Sequence, residues 1–349
     1  MINIESLLRE NIKRLQPYSS ARDEYTGSMG IFLDANENSF GSIPEGNLNR
    51  YPDPHQSEIK EKLSKIKKTN SENIFIGNGS DEAIDLLMRA FCELGKDSIL
   101  TMPPTYGMYK VAADINDVNV IEVPLTAEFQ IAADEVINSI TPNTKLIFIC
   151  SPNNPSGNLL NSNSIRAILD SFNGIVVLDE AYIDFADEES WIGELESFNN
   201  LVVLQTFSKA WGLANIRVGM AYANEVIISV LNKIKYPYNV NGVSQQIIID
   251  ALDYESKKNE VVNQIIFERN KLVEVLLTLD IIEYVFPSDS NFILGKVREA
   301  NKVYDYLLEN KIIVRNRSNM INCEECLRFT VGTEEENNKL IEILSKYGE

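Results

Sequence analysis

Short apolar runs alternate with helical segments through the middle of the chain, and this alternation constrains the fold more than any other feature. The apolar runs at 98–102, 145–150, 174–178 and 201–204 predict buried strands. Strands separated by helices predict an α/β fold with a mostly parallel central sheet and helices on both faces. Such sheets bind ligands at the carboxyl ends of their strands, so polar residues at those ends are the first candidates for a functional site.

The chain after Pro287 has a different pattern, which predicts a smaller α+β domain. Strands are expected at 291–294, 312–314 and 327–331, with helices at 301–310 and 334–347. We therefore divide the chain into an N-terminal arm and helix (1–30) that joins the small domain, a large domain (31–235) and a small C-terminal domain (236–349).

Three further segments carry local predictions. Met1–Arg14 mixes charged residues with Ile and Leu and predicts one amphipathic helix. Ile31–Asp34 predicts a short strand, and the stretch from Val243 to Leu279 predicts helix.

Composition excludes several classes of protein. A net charge of -19 argues against binding to nucleic acids or to anionic membranes. The sequence contains no apolar run of the length needed to span a membrane, and its start lacks the apolar core of a signal peptide. Four cysteines in 349 residues do not make a disulfide framework, which favours a cytoplasmic protein.

Metal and histidine chemistry is also disfavoured. His55 is the only histidine, so a His-based catalytic triad or a His-rich metal site is excluded. Cys323 and Cys326 form a CxxC pair without a second pair or a nearby histidine, and a structural zinc needs four ligands. We therefore expect no metal.

Lys209 lies in the stretch Thr206–Leu213, just after the apolar run at 201–204. A lysine amine can form a Schiff base with an aldehyde, and pyridoxal phosphate is the commonest aldehyde cofactor. Thr206, Ser208 and Arg217 are donors of the type that binds a phosphate group. An ordinary surface lysine in a strand-to-helix loop is the alternative interpretation of this stretch.

Other predicted strand ends also carry candidate residues. Gly79, Ser80 and Asp81 open a helix after a strand, where backbone N–H groups can face an anion, although Ser80 and Asp81 could also simply cap the helix. Tyr106 could stack on a planar ring or could be a core tyrosine. Tyr51, between Arg50 and Pro52, could belong to a site or could equally well only pack in the turn.

Two strand ends give stronger signals. The run Ser151–Gly157 places two prolines around two asparagines, which predicts a rigid polar loop. Asp179 ends a buried strand, where a carboxylate is costly unless it meets a cation or a donor.

Taken together, the ordered motifs Ser-Pro-Asn-Asn-Pro-Ser-Gly, Asp-Glu-Ala-Tyr, Thr-Phe-Ser-Lys and the following Arg resemble those of the pyridoxal-phosphate-dependent aminotransferases of fold type I. The resemblance extends from Pro17–Arg22 to Leu327–Thr333 and is greatest for the members that act on histidinol phosphate. It implies transfer of an amino group from L-histidinol phosphate to 2-oxoglutarate, giving imidazole acetol phosphate and L-glutamate in histidine biosynthesis.

The resemblance also implies roles for individual residues. Lys209 would hold the cofactor and move the substrate proton, and Asp179 would pair with the ring nitrogen. Asn154 and Tyr182 would bind the phenolic oxygen of the ring. The remaining cofactor-binding residues would be Gly79, Ser80, Asp81, Tyr106, Thr206, Ser208, Arg217 and, from the neighbouring subunit of a homodimer, Tyr51.

Substrate binding would use residues from both ends of the chain. The resemblance assigns the substrate anions to Arg315 and Arg328, with Tyr18 and Asn36 lining the same pocket. Relatives with the same fold and lysine include aromatic amino-acid aminotransferases and a threonine-phosphate decarboxylase, and these activities remain alternatives. A non-catalytic cofactor-binding module lacks support because no helix-turn-helix extension is present, and the glycines at 77 and 79 alone are a weak nucleotide-binding signal.

Overall fold

The structure is a computed structural model that describes residues 2–18, 30–43, 46 and 48–347. Ser19–Arg22, part of the motif that carries the family resemblance, lie outside the described residues.

Seven strands form the larger sheet. They are β1 (Ile74–Gly77), β2 (Ser98–Thr101), β3 (Asn119–Glu122), β4 (Thr144–Cys150), β5 (Ile175–Asp179), β6 (Leu201–Thr206) and β7 (Gly219–Ala223), in the order β1-β7-β6-β5-β4-β2-β3. The pairs β2/β3, β2/β4 and β4/β5 are parallel, whereas β7 is antiparallel to both β1 and β6.

Four strands form a second, antiparallel sheet. They are β8 (Ile282–Val285), β9 (Phe292–Val297), β10 (Arg315–Asn316) and β11 (Cys326–Thr330), in the order β10-β11-β9-β8. An α/β sheet together with a smaller α+β unit confirms the predicted fold class.

The described helices are α1 (Ile4–Leu7), α2 (Glu10–Arg14), α3 (Ser57–Lys67), α4 (Ser80–Phe91), α5 (Met108–Ile115), α6 (Ala133–Asn138), α7 (Ser162–Ser171), α8 (Glu225–Ile234), α9 (Gly242–Leu252), α10 (Glu255–Leu276), α11 (Ala300–Glu309) and α12 (Glu334–Ser345). Local sequence accounts for several of their starts. Asn161, Asn224 and Asn241 each accept a backbone N–H bond as N-caps, and Thr333 with Glu336 forms a capping box.

The chain divides into two compact units. Unit 1 comprises Met1–Glu93 and Trp191–Glu255, and unit 2 comprises Leu94–Ser190 and Ser256–Glu349. The division expected from the sequence, at residues 30 and 235, is a different one and stays a prediction.

Unit 1 is built on β1, β7 and β6, whose side chains are buried throughout. α4 packs against β7 and α8 through an apolar stripe that includes Ala83, Ile84 and Leu87. α3 packs against α9. The three buried strands therefore hold the loops at their ends on a rigid base.

Unit 2 contains two separate sets of strands. β4 and β5 are almost entirely buried, as a parallel strand covered on both faces should be. The small antiparallel sheet has its own core, in which Leu272, Ile293, Leu327, Phe329 and Leu344 are buried together. This core fixes β11, and with it Arg328.

Three local predictions were wrong. The single helix expected over Met1–Arg14 is replaced by two short ones, α1 and α2, because the backbone N–H of Arg9 donates to Ala90 O at 3.0 Å and interrupts the helix there. Ile31–Asp34 is not a strand, and Ile31 and Leu33 are exposed. The strand expected at 312–314 begins instead at Arg315.

Candidate active site

In unit 1, Gly219 lies at the start of β7 between two other strand ends. It is opposite Gly77 at the end of β1 and opposite Thr206 at the end of β6. Two loops that are more than a hundred residues apart in the sequence therefore meet. A side chain at Gly219 would be impossible, because a Cβ there would lie 2.2 Å from the backbone N of Ser80.

The loop that carries Lys209 joins two antiparallel strands, β6 and β7, and not a strand to a helix. Phe207 N donates to Val218 O at 3.2 Å, which continues the β6/β7 ladder one step into the loop. Within the loop, Gly212 N donates to Lys209 O at 3.0 Å, and Gly212 has a φ of 66°. The turn around Lys209 is therefore fixed by backbone hydrogen bonds.

The phosphate-type donors predicted in unit 1 come together. Arg217 Nη1 is 3.5 Å from Ser208 Oγ, and its Nη2 is 3.6 Å from an oxygen of Asp81. Thr206 Oγ1 accepts from Ser208 N at 3.0 Å. A Cβ on Gly79, whose φ is 77°, would lie 3.0 Å from Arg217 Nη2. The absence of a side chain at Gly79 therefore leaves space beside the guanidinium.

The first turn of α4 completes this cluster. Its N-cap is Gly79, and no side chain caps it, so Ser80 and Asp81 lie inside the helix and do not cap it. A helix N-terminus beside a guanidinium and hydroxyl groups is a donor set that suits a phosphate group. The unit 1 residues thus fit the phosphate of the cofactor expected from the sequence.

Tyr18, Asn36 and Tyr51 lie elsewhere in unit 1. Tyr18 is exposed. Asn36 and Tyr51 line a cavity of about 1020 Å³ together with Tyr238 and residues at the start of α9. Tyr51 stacks on Tyr238 with 4.5 Å between the ring centroids, and its backbone N donates to Glu37 at 2.6 Å.

In unit 2, Asp179 at the end of β5 is held through both of its carboxylate oxygens. Tyr109 donates from its hydroxyl to Oδ2 at 2.7 Å, and Ala181 N donates to Oδ1 at 3.0 Å. Tyr109 is buried and stacks on Phe148, and Tyr106 meets it edge to face. Burial raises the pKa of Tyr109, and the carboxylate of Asp179 raises it further, so Tyr109 stays a donor.

A second group in unit 2 links Asn154, Tyr182 and Arg328. Arg328 Nη1 donates to Asn154 Oδ1, and Asn154 Nδ2 lies 3.5 Å from the hydroxyl of Tyr182. The guanidinium of Arg328 lies over the ring of Phe292, 4.9 Å from its centroid, and Tyr182 meets the same ring edge to face. Asn154 is therefore oriented by an arginine, with its amide group turned toward the phenol.

The loop at 151–157, predicted to be rigid, is buried along its whole length. Asn153 holds it from within, donating to Pro104 O at 3.0 Å and to Ser156 Oγ at 2.8 Å. Gly157 N closes the turn onto Asn153 O at 2.7 Å. A buried loop whose polar groups are hydrogen-bonded holds the side chain of Asn154 in one position.

Arg328 faces Arg315 directly across the β10/β11 ladder. Burial lowers the pKa of Arg328 to about 10, and the charge of Arg317 adds to this effect. Sequence reasoning named Arg315 and Arg328 but missed Arg317, Tyr109 and Gly219. Arg315 and Arg317 are two residues apart, so their side chains share one face if the chain is extended there. This spacing could have identified Arg317 from the sequence.

The described residues contain neither a metal-binding cluster nor a membrane-spanning helix. In residues 2–18, 30–43, 46 and 48–347, no three or more His, Cys, Asp and Glu are arranged to hold a metal ion. No helix within those ranges has the length and apolar character needed to cross a membrane.

Comparison with known proteins gives a consistent result. Residues 33–344 match the family model described as aminotransferase class I and II. A histidinol-phosphate aminotransferase of Cytophaga hutchinsonii is 54% identical over 345 residues, covering 99% of each chain. One of Bacteroides fragilis is 53% identical over 348 residues, covering 99% of this chain and 100% of the relative. The crystal structure of histidinol-phosphate aminotransferase from Clostridium acetobutylicum superposes with a TM-score of 0.79 at 26% identity, covering 86% of this chain and 90% of that one.

The hydrogen bond from Tyr109 to Asp179 gives a first prediction. Tyr109→Phe keeps the stacked ring but removes the donor from a buried carboxylate, and we expect it to lower the free energy of unfolding by about 1.5–3 kcal/mol. Chemical denaturation at pH 7 measures this. Tyr284→Phe, the same change at an exposed site of unit 2, should stay within about 0.5 kcal/mol of the wild type. Equal stability of the two variants would contradict the role given to the Tyr109 hydroxyl.

Proposed function

The chain belongs to the class I and II aminotransferase family, and from this membership we propose that it transfers the amino group of L-histidinol phosphate to 2-oxoglutarate. The products are imidazole acetol phosphate and L-glutamate, and the place of the reaction is histidine biosynthesis. The observation that carries the proposal is the likeness to histidinol-phosphate aminotransferases at 54% identity over almost the whole chain.

The proposal includes pyridoxal 5'-phosphate as cofactor. When bound, this group supplies an aldehyde for the substrate amine and a ring that accepts the electron pair left at the substrate Cα. The cluster around Arg217 in unit 1 would hold the phosphate. Gly79, Ser80 and Asp81 would face it with the backbone at the start of α4, and Thr206 and Ser208 would add their hydroxyls. Tyr106 in unit 2 would pack on the ring, and Asn154 and Tyr182 would donate to its phenolic oxygen.

Lys209 and Asp179 have the central chemical roles in this proposal. Nζ of Lys209 would bind the cofactor covalently and, once released by the substrate, would take the proton from the substrate Cα. Asp179 would keep the ring nitrogen protonated. The two donors on the Asp179 carboxylate, Tyr109 and Ala181, fix its orientation for that contact.

Arg315 and Arg328 would bind the substrate anions. A guanidinium offers paired N–H donors that match both a carboxylate and a phosphate, so the same residues can serve L-histidinol phosphate and L-glutamate in turn. Asn154 and Phe292 hold Arg328 in one orientation. Tyr18 and Asn36 complete the pocket in the proposal.

The proposal also makes the active unit a homodimer in which Tyr51 reaches the cofactor phosphate of the neighbouring subunit. Large apolar side chains in this part of unit 1 support the proposal that another subunit covers it. Ile31, Leu33, Phe40, Ile43, Leu48 and Val243 are all exposed in the single chain. Exposed large apolar side chains in this number favour a contact with another chain.

The proposal also covers the other partners of the enzyme and its cellular compartment. Small molecules are the only further partners, with no nucleic acid and no membrane, in keeping with a net charge of -19. All four cysteines are free and buried, which suits the reducing cytoplasm in which we place the enzyme.

Covalent attachment at Lys209 can be tested by reduction. Protein incubated with pyridoxal phosphate should absorb visible light and, after borohydride, should carry one adduct per chain at Lys209, found by peptide mass spectrometry. Lys209→Ala should lose the adduct because it lacks the amine, whereas Lys96→Ala, at an exposed lysine, should keep it. A colourless protein without an adduct would end the cofactor assignment.

The substrate is tested by a half-reaction screen. We expect cofactor-loaded enzyme to lose its visible band at least about tenfold faster, in kcat/KM, with L-histidinol phosphate than with phenylalanine, tyrosine or threonine phosphate. The band should return on addition of 2-oxoglutarate. Faster reaction of the aromatic acids would make the protein an aromatic aminotransferase, and release of carbon dioxide from threonine phosphate would make it a decarboxylase.

The shared site can be tested with hybrid dimers. Lys209→Ala removes the lysine of a subunit's own site, whereas Tyr51→Ala removes the tyrosine that a subunit gives to its neighbour's site. A hybrid dimer of the two variants therefore contains one intact site. After joint refolding in equal amounts, about a quarter of the sites should be intact, because half the dimers are hybrids. Activity should therefore exceed the mean of the two parent variants. An activity equal to that mean would show that Tyr51 serves its own chain.

A further inference from the structure

Three arginines of unit 2 lie on one face of the small sheet. Arg315 on β10 is directly opposite Arg328 on β11. Arg317 follows Arg315 by two residues, and its backbone N donates to Cys326 O at 2.9 Å, which extends the ladder. Side chains alternate along a strand, so Arg317 shares the face of Arg315. Like charges placed opposite one another destabilise a sheet, so this arrangement has a cost.

Nothing in the described part of the chain neutralises this cluster. None of Arg315, Arg317 and Arg328 forms an ion pair with an Asp or Glu of the described residues. Burial, followed by the charge of Arg315, lowers the pKa of Arg317, and the groups that raise it are Cys323 and Tyr182. Both of these are neutral at pH 7, because burial raises their own pKa values.

Unpaired donors accompany the excess charge. The Nε atoms of Arg317 and Arg328 are buried without a hydrogen-bond partner, as is Oγ of Ser318. Buried charged donors without partners cost folding free energy unless a ligand offsets the cost. Arg315 is exposed, and Arg317 and Arg328 are partly exposed, so the cluster remains open to an anion from solution.

We infer that Arg317 is the third guanidinium of the substrate-anion site, and that its charge sets the preference of this site for a phosphate monoester dianion over a carboxylate. The inference rests on the proposed function for the identity of the two substrates. Arg315 and Arg328 alone can bind either anion. The third positive charge strengthens the binding of a dianion more than the binding of a single carboxylate.

Coulomb's law gives the inference its quantitative form. The interaction energy of Arg317 with an anion at a given distance is proportional to the charge of that anion. Removing the charge at 317 should therefore change the logarithm of the affinity for a dianion about twice as much as that for a carboxylate monoanion. A role in folding alone would affect both substrates equally.

The experiment compares three variants of the cofactor-loaded enzyme. Arg317→Gln removes the charge, Arg317→Lys keeps it, and Arg298→Gln removes an exposed arginine in the turn after β9. In single-substrate half-reactions, Arg317→Gln should lower kcat/KM about threefold for L-phenylalanine, which carries a single carboxylate, and about tenfold for L-histidinol phosphate, mainly through KM. Arg317→Lys should restore most of the difference, and Arg298→Gln should change neither substrate by more than about twofold.

Equal losses for the two substrates, or no loss, would overturn the inference. A second measurement separates it from the proposed function, because it uses inorganic phosphate and acetate as competitors of any substrate that the enzyme accepts. Inhibition by phosphate should weaken in Arg317→Gln about tenfold, and inhibition by acetate about threefold. If the wild type fails to react with L-histidinol phosphate but keeps this pattern, the proposed substrate is wrong and the phosphate site stands. If inhibition by phosphate is unchanged in Arg317→Gln, Arg317 is not part of the site.

Discussion

The close approach of Gly219 to the first turn of α4 is the constraint on which the unit 1 site depends. β7 is hydrogen-bonded on both sides, and its first residue lies between the ends of β1 and β6. Only a residue without a side chain leaves room for the backbone N of Ser80. Because of this contact, the helix that starts at Ser80 and the loop that carries Ser208 and Arg217 share one small volume. Sheet register, and not sequence proximity, creates the cluster.

The two units handle positive charge in different ways. In unit 1, Arg217 has Asp81 3.6 Å away, so its charge is partly offset before any ligand arrives. Arg217 is also half exposed, so water screens the part of its charge that Asp81 does not offset. In unit 2, Arg328 donates to a neutral amide and lies over an aromatic ring, and it forms no ion pair with a described residue. Arg328 therefore keeps more of its charge for a ligand than Arg217 does.

Much of the fold could be predicted because the buried strands are continuous apolar runs. β4, β5 and β6 are of this kind, and burial on both faces leaves a run that pattern analysis finds. β7 was missed because its sequence, Gly-Met-Ala-Tyr-Ala, has weak strand propensity, and it forms through pairing with strands on both sides. Ile31–Asp34 shows the opposite case, in which a strand-like sequence pairs with no strand of the described residues.

The candidate residues were predictable as types but not as contacts. Motif order identified Asn154, Tyr182 and Arg328, yet no pattern predicts that one asparagine would contact both of the others. Tyr109 was missed because a tyrosine three residues after Tyr106 looks like a core residue. It is one, with its hydroxyl directed at Asp179. Side-chain geometry of this kind depends on how β4 and β5 pair, which a single sequence does not encode locally.

The charge of the whole chain makes the arginine face more informative. Acidic residues outnumber basic ones, 51 to 32, so a carboxylate beside any given arginine is the ordinary outcome for this protein. A carboxylate near Arg315, Arg317 and Arg328 would stabilise the fold by relieving their repulsion, and it would also compete with any incoming anion. Cysteine and tyrosine, both neutral, occupy the positions from which such a carboxylate could act. The face therefore forgoes stability that a single Asp or Glu could provide, and an anion that arrives and leaves in each catalytic cycle is a sufficient physical reason for leaving it so.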